Sequence, residues 1–172
     1  RAAAEAGTIK SELRVAIDAA REMATSFSVL AGNKAGATPP EARREQLNAV
    51  MQRVLERNPT INGAYSAWEP NALDGNDLAF MNRKDTGADA TGRFLPYWTR
   101  AGEGKFKVEP LTGHEDPSIG SNGLATGVWY LDPRATGKER IVGPLTYPAE
   151  GKIESLATFA IPVMIDGKFR GI

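Results

Sequence analysis

The hydrophobic period of this chain changes once, near residue 59, and that change fixes its fold class. Before it, apolar residues recur at helical spacing. Ile9, Leu13, Ala16, Ala20, Met23, Phe27 and Leu30 are separated alternately by four and three, the heptad rhythm of a helix with one packed seam. Gly32-Asn33-Lys34-Ala35-Gly36 stops that helix. Thr38-Pro39-Pro40-Glu41 predicts the start of a second, with Thr38 as cap, proline in the first turn and Glu41 as capping-box acid. Leu47, Val50, Met51, Val54 and Leu55 then line one face, and Asn58-Pro59 ends it.

From Thr60 the period is two. It predicts strands over Ile61–Trp68, Phe94–Arg100, Lys105–Val108, Arg140–Tyr147, Ile153–Ile165 and Lys168–Ile172, with Asp166-Gly167 as a hairpin turn. Trp129 to Pro133 reads as a short turn or helix lying over the sheet. Helices followed by about five mostly antiparallel strands make an α+β order rather than βαβ winding. Residues 1–58 form the helical region and 59–172 the sheet with its pocket; together they are read as one domain.

Several function classes are excluded on residue content. Lys+Arg and Asp+Glu both total 21, so the formal net charge is zero. The surplus of cations that holds nucleic acid is therefore missing. With no cysteine there is no thiolate metal site, thiol nucleophile or disulfide. The one histidine, His114, sits in a stretch rich in Gly, Asp and Pro and is expected on a surface loop. No G-x-S-x-G elbow accompanies it. Asn71, Asp74, Asn76 and Asp77 lack the spacing of a calcium loop. No apolar run reaches the ~20 residues of a membrane span. Arg1 at the start, and an ending inside a predicted strand, are expected of a piece excised from a longer protein.

The side chains suited to recognition are concentrated in the strand half. All three tryptophans and all four tyrosines lie between residues 65 and 147. Rings supply contact area, and hydroxyl, indole and guanidinium groups supply orientation, which is what a small-molecule pocket requires. Trp68, Tyr97, Thr99, Arg100, Trp129, Tyr130 and Tyr147 are the candidate ligand-binding residues. No catalytic, metal-binding or cofactor-binding set is nominated. Period-two alternation puts Tyr97 and Thr99 on one face and Trp98 and Arg100 on the other, so only one pair can line a given pocket.

Ala64-Tyr65-Ser66-Ala67-Trp68-Glu69-Pro70-Asn71 with its continuation to Asp77, and Thr91-Gly92-Arg93-Phe94-Leu95-Pro96-Tyr97-Trp98-Thr99-Arg100, resemble the periplasmic double-Cache domains of bacterial methyl-accepting chemotaxis proteins. Ala160 to Ile172 is similar to that family's last strands. The resemblance implies a PAS-like (Cache/PDC) sensor, the membrane-distal module of a dimeric inner-membrane receptor, with this domain in the periplasm. It also implies pairing through the N-terminal helix, a small-molecule ligand and no enzymatic activity. The same module occurs on histidine kinases and diguanylate cyclases. Amino-acid-sensing members are similar at Trp129-Tyr130 and Tyr147, but carry an arginine two positions before the tryptophan and an acid two positions after the later tyrosine. Here those positions are Gly127 and Ala149. The aromatic set suits an amine or quaternary ammonium through cation–π contact; Arg100, if inward, suits a small carboxylate or amino acid. A periplasmic hydrolase is the alternative of another class.

Overall fold

The residues that recur at helical spacing form two helices, α1 (Ala2–Leu30) and α2 (Arg43–Arg57), in a computed structural model that describes residues 2–149 and 152–172. The side chains of residues 1–3 and 144–155 lie outside the described set. Among the described residues, it is the C-terminal half of α1 that packs on the core of its own domain. Phe27 is 2% exposed and Ala24 and Ala31 are buried, whereas Ile9, Leu13 and Val15 are exposed. The predicted cap of the second helix is not made. A 3₁₀ turn at Pro40–Ala42 precedes α2, and the Thr38 hydroxyl instead bonds the Gln46 side chain at 2.8 Å. Arg43 takes over the entry, donating to the carbonyls of Thr38, Gly32 and Leu73.

The strands are β1 (Gly63–Tyr65), β2 (Pro96–Arg100), β3 (Phe106–Pro110), β4 (Arg140–Ala149), β5 (Lys152–Ala160), β6 (Val163–Ile165) and β7 (Lys168–Gly171), all paired antiparallel. They make three ladders: β1-β2-β3, β4-β5 and β6-β7. The single strand predicted over Ile153–Ile165 is broken into β5 and β6 at Ile161-Pro162, where proline has no amide to donate. The first and last ladders are joined beyond the end of β1. Ala67 and Ile172 exchange backbone hydrogen bonds at 3.2 and 2.9 Å, and Glu69 donates to Arg170 at 2.8 Å. The β6–β7 turn, Asp166-Gly167, has positive φ at both residues (51° and 73°), the geometry that suits the strand twist.

Alternation then sorts side chains to two faces. Ala64, Trp68 and Phe94 join Phe27, Leu47, Met51, Leu55 and Val163 in the core beneath α1 and α2. Ala67, Leu95 and Ile172 face the other way, toward Tyr130 of α3 (Val128–Thr136). The sheet is therefore covered on both faces, by two long helices on one side and by a nine-residue helix on the other. Burying each of the large side chains contributes about 1.5–3 kcal/mol.

A buried ion cluster fixes the long loop after β1. Arg44 of α2, 3% exposed, bonds Asp74 at 2.6 Å and Asp77 at 2.7 Å. It also donates to the carbonyl of Gly92, and its guanidinium lies over the Phe80 ring at 4.0 Å. Asp74 and Asp77 are thus structural partners of a cation.

Candidate functional site

The candidate residues separate by face. Trp98 and Arg100 turn toward α2. The Trp98 indole donates to Asn48 at 2.8 Å, while Arg100 donates to the carbonyls of Leu55, Asn58 and Ile61 at 2.7, 2.9 and 3.1 Å. These carbonyls lie at and beyond the end of α2, so this guanidinium closes a helix terminus. Trp68 is also on the helix side, fully buried, with its indole on the Ser66 hydroxyl at 2.8 Å.

The opposite face carries a row of rings. Trp129 meets Tyr65 edge to face at 5.6 Å, and Tyr65 meets Tyr97 the same way at 6.4 Å. The sequence picks out Trp129 and Tyr97 but not Tyr65, which joins them because Tyr65 and Tyr97 are direct partners across the β1–β2 ladder. Glycine at 63 makes room for this arrangement: a Cβ there would stand 2.8 Å from the Tyr97 ring. The Tyr65 hydroxyl donates to the carbonyl of Phe159 at 3.0 Å, tying the row to β5. Burial pushes that hydroxyl far above its ordinary pKa, and Tyr97 adds to the shift, so it stays a donor. Thr99 is half-buried on the same strand. The side chain of Tyr147, on β4, lies outside the described residues.

Tyr130, next along α3, points into the core and gathers charge around its hydroxyl. The hydroxyl donates to Glu69 and accepts from Arg93 at 2.7 Å. Arg93 also donates to the Trp68 carbonyl at 2.5 Å and pairs with Glu115 at 3.1 Å. Arg134 reaches Glu115 at 2.6 Å and Glu69 at 3.7 Å. The His114 ring lies edge-on to Tyr130 at 5.5 Å, and its side chain is only 14% exposed. The expectation of a surface histidine is therefore corrected: the loop folds inward and seats it against Tyr130. Burial and the Arg93 charge hold the imidazole below its usual pKa. Burial opposes ionisation of Glu115, but bonds from Arg93 and Arg134 outweigh it and hold the acid below the carboxylate range.

Gly127, at the start of α3, is roofed by backbone. A Cβ there would lie 2.5 Å from the His114 carbonyl oxygen and 2.7 Å from that of Gly113. No larger side chain fits without moving the 113–114 segment. Among the described residues no group of three or more His, Cys, Asp or Glu could hold a metal ion.

An α+β core of antiparallel ladders, with a long N-terminal helix packed behind it, is the architecture of a Cache (PDC) sensor domain. The relatives agree. Over 132 residues, 75% of this chain, the sequence is 35% identical to the methyl-accepting chemotaxis protein TlpQ of Pseudomonas aeruginosa, of which it spans 18%. Among solved structures, the extracellular domain assigned to the histidine kinase mmHK1S-Z3 superposes with a TM-score of 0.70 at 27% identity, over 95% of this chain and 51% of that one. Methyl-accepting Chemotaxis protein X superposes at 0.59 and 25% identity, over 94% and 58%. No protein-family model matches the chain. The chain is an extracellular sensor domain of the chemoreceptor and histidine-kinase type.

Proposed function

We propose that this domain binds a small amine or quaternary ammonium compound in the periplasm, as the sensing module of an inner-membrane chemoreceptor. The observation that carries this reading is the ring row Trp129–Tyr65–Tyr97 on the α3 face, with the two sites for a carboxylate-gripping arginine removed. Arg100 is committed to the end of α2, and position 127 has no room for a side chain. Electron-rich faces attract a cation within about 6 Å of a ring centroid. Tyr97, Thr99, Trp129 and Tyr147, with Tyr65, are the proposed contacts. Trp68, Tyr130 and Arg100 support them from behind. The exposed Ile9, Leu13 and Val15 on α1 are proposed to pair with the same helix of a second copy.

The test is a thermal-shift screen of the purified domain against tetramethylammonium, n-butylamine, butyrate and the common amino acids. A saturable rise in Tm with an amine supports the reading, since a ligand that binds only the native state stabilises it. Trp129→Ala should then abolish the rise while keeping the fold. A rise with butyrate alone would replace the amine by a carboxylate. Turnover of an ester or amide substrate would replace the sensor by a hydrolase.

A further inference from the structure

Trp129 and Tyr130 are neighbours on α3 but face different elements, and this gives the helix a lever. Trp129 stands against Tyr65 on the proposed ligand side. Tyr130, fully buried, reaches the segment after β1 and β7 together: its hydroxyl donates to Glu69, and its ring lies edge-on to Phe169 at 5.8 Å. The Glu69 amide donates to the carbonyl of Arg170 at 2.8 Å. Arg170 is the one residue of β7 without a partner in the β6–β7 ladder, because the register passes from Val163↔Gly171 to Met164↔Phe169. The strand is therefore bulged where Glu69 holds it. A bulge is a local extra residue, and such points absorb changes of twist and register.

We propose that the Tyr130 hydroxyl, held between Arg93 and Glu69, is the joint through which movement of α3 reaches β7. Occupancy on the Trp129 side shifts α3; Tyr130 passes the shift to Glu69; and Glu69 passes it to the bulge at Arg170 and so to Ile172. Arg93 is the positioning residue. Its guanidinium is 7% exposed and spans the Trp68 carbonyl, the Tyr130 hydroxyl and Glu115, locking the joint in one arrangement. This inference rests on the sensor reading for its purpose, and its test needs no ligand.

The test is native-state hydrogen exchange on Tyr130→Phe, which keeps the ring and removes only the oxygen on which Arg93 and Glu69 meet. The amides of Glu69 and Ile172 should exchange about tenfold faster, the loss expected for one buried hydrogen bond, while the β2–β3 ladder keeps its wild-type rates. A uniform acceleration along the chain, or unchanged rates at Glu69 and Ile172, overturns the proposal. Glu69→Ala should accelerate Ile172 similarly, and the double variant should be no faster than either single one; additive effects also overturn it. If Tyr130→Phe does not fold, Glu69→Ala with Ile172 as reporter carries the same two outcomes.

Discussion

At position 127 the chain has room for a hydrogen atom and nothing more, and that single constraint lets the 113–114 segment pack on the start of α3. Gly127→Ala brings a Cβ within 2.5 Å of backbone oxygen, which cannot rotate away as a side chain can. Urea denaturation should register a loss of about 1–3 kcal/mol. His114, on the other side of that contact, makes stability depend on pH. Its folded pKa lies below the ordinary 6.5, so the unfolded chain takes up the proton first. Stability is full above 6.5 and declines as pH falls below it toward the folded value. Glu115, held below its ordinary 4.5, keeps its contribution down to that pH and loses it only further into acid. A drop in Tm between about pH 7.5 and about pH 5.5 therefore belongs to His114 and should shrink in His114→Gln. Neither feature could be read from the sequence. Gly127 was visible only as a departure from related receptors, and a histidine among Gly, Asp and Pro carries no sign that its loop folds inward. Alternation told correctly that Tyr97 and Arg100 point apart, but the face lying against α2 depended on packing.

Among the elements, α1 best separates what periodicity encodes from what a domain uses. Its seam is regular from Ile9 to Leu30, yet among the described residues it is the part from Met23 onward that packs on the main core. Ile9 and Leu13 keep the same pattern but are exposed among the described residues, as expected of a helix whose second surface is another copy. Leu13, 43% exposed, tests this. Leu13→Glu should leave the unfolding free energy of the monomer within about 0.5 kcal/mol of wild type, because the site is outside the core. In sedimentation equilibrium it should convert a dimer to a monomer, and a wild-type monomer would remove α1 as the dimer surface. The second helix was legible in its apolar face but not in its start. Thr38 matched a cap in composition, but the chain placed Arg43 where it could bind three carbonyls and left the Thr38 hydroxyl to Gln46. Strand positions were legible and their continuity was not, because Pro162 splits one predicted strand into β5 and β6.

Over the whole molecule, the division at residue 58 marks a change of secondary structure rather than a boundary of stability. Phe27, Leu47, Met51 and Leu55 from the first part share one core with Trp68, Phe94 and Val163 from the second, so neither part keeps its apolar surface covered alone. The two ends of the sheet region are also closed on each other. The Ser66 hydroxyl donates to the Ile172 carbonyl at 2.6 Å and accepts from the Trp68 indole at 2.8 Å, all of it buried. One oxygen thus links the segment after β1, the helix-side core and Ile172. Ser66→Ala leaves the buried indole N–H of Trp68 without its partner, costing about 1–3 kcal/mol, and leaves the Ile172 carbonyl with the Ala67 amide alone. Because the core is common, that loss should lower the helical signal by far-UV circular dichroism and the tryptophan fluorescence transition by the same amount, as one cooperative step. Two transitions, with the helical one unmoved by Ser66→Ala, would mean that residues 1–58 hold their fold independently. A single shifted transition is the expected result, since the helices have their apolar partners only on the strands that Ser66 ties together.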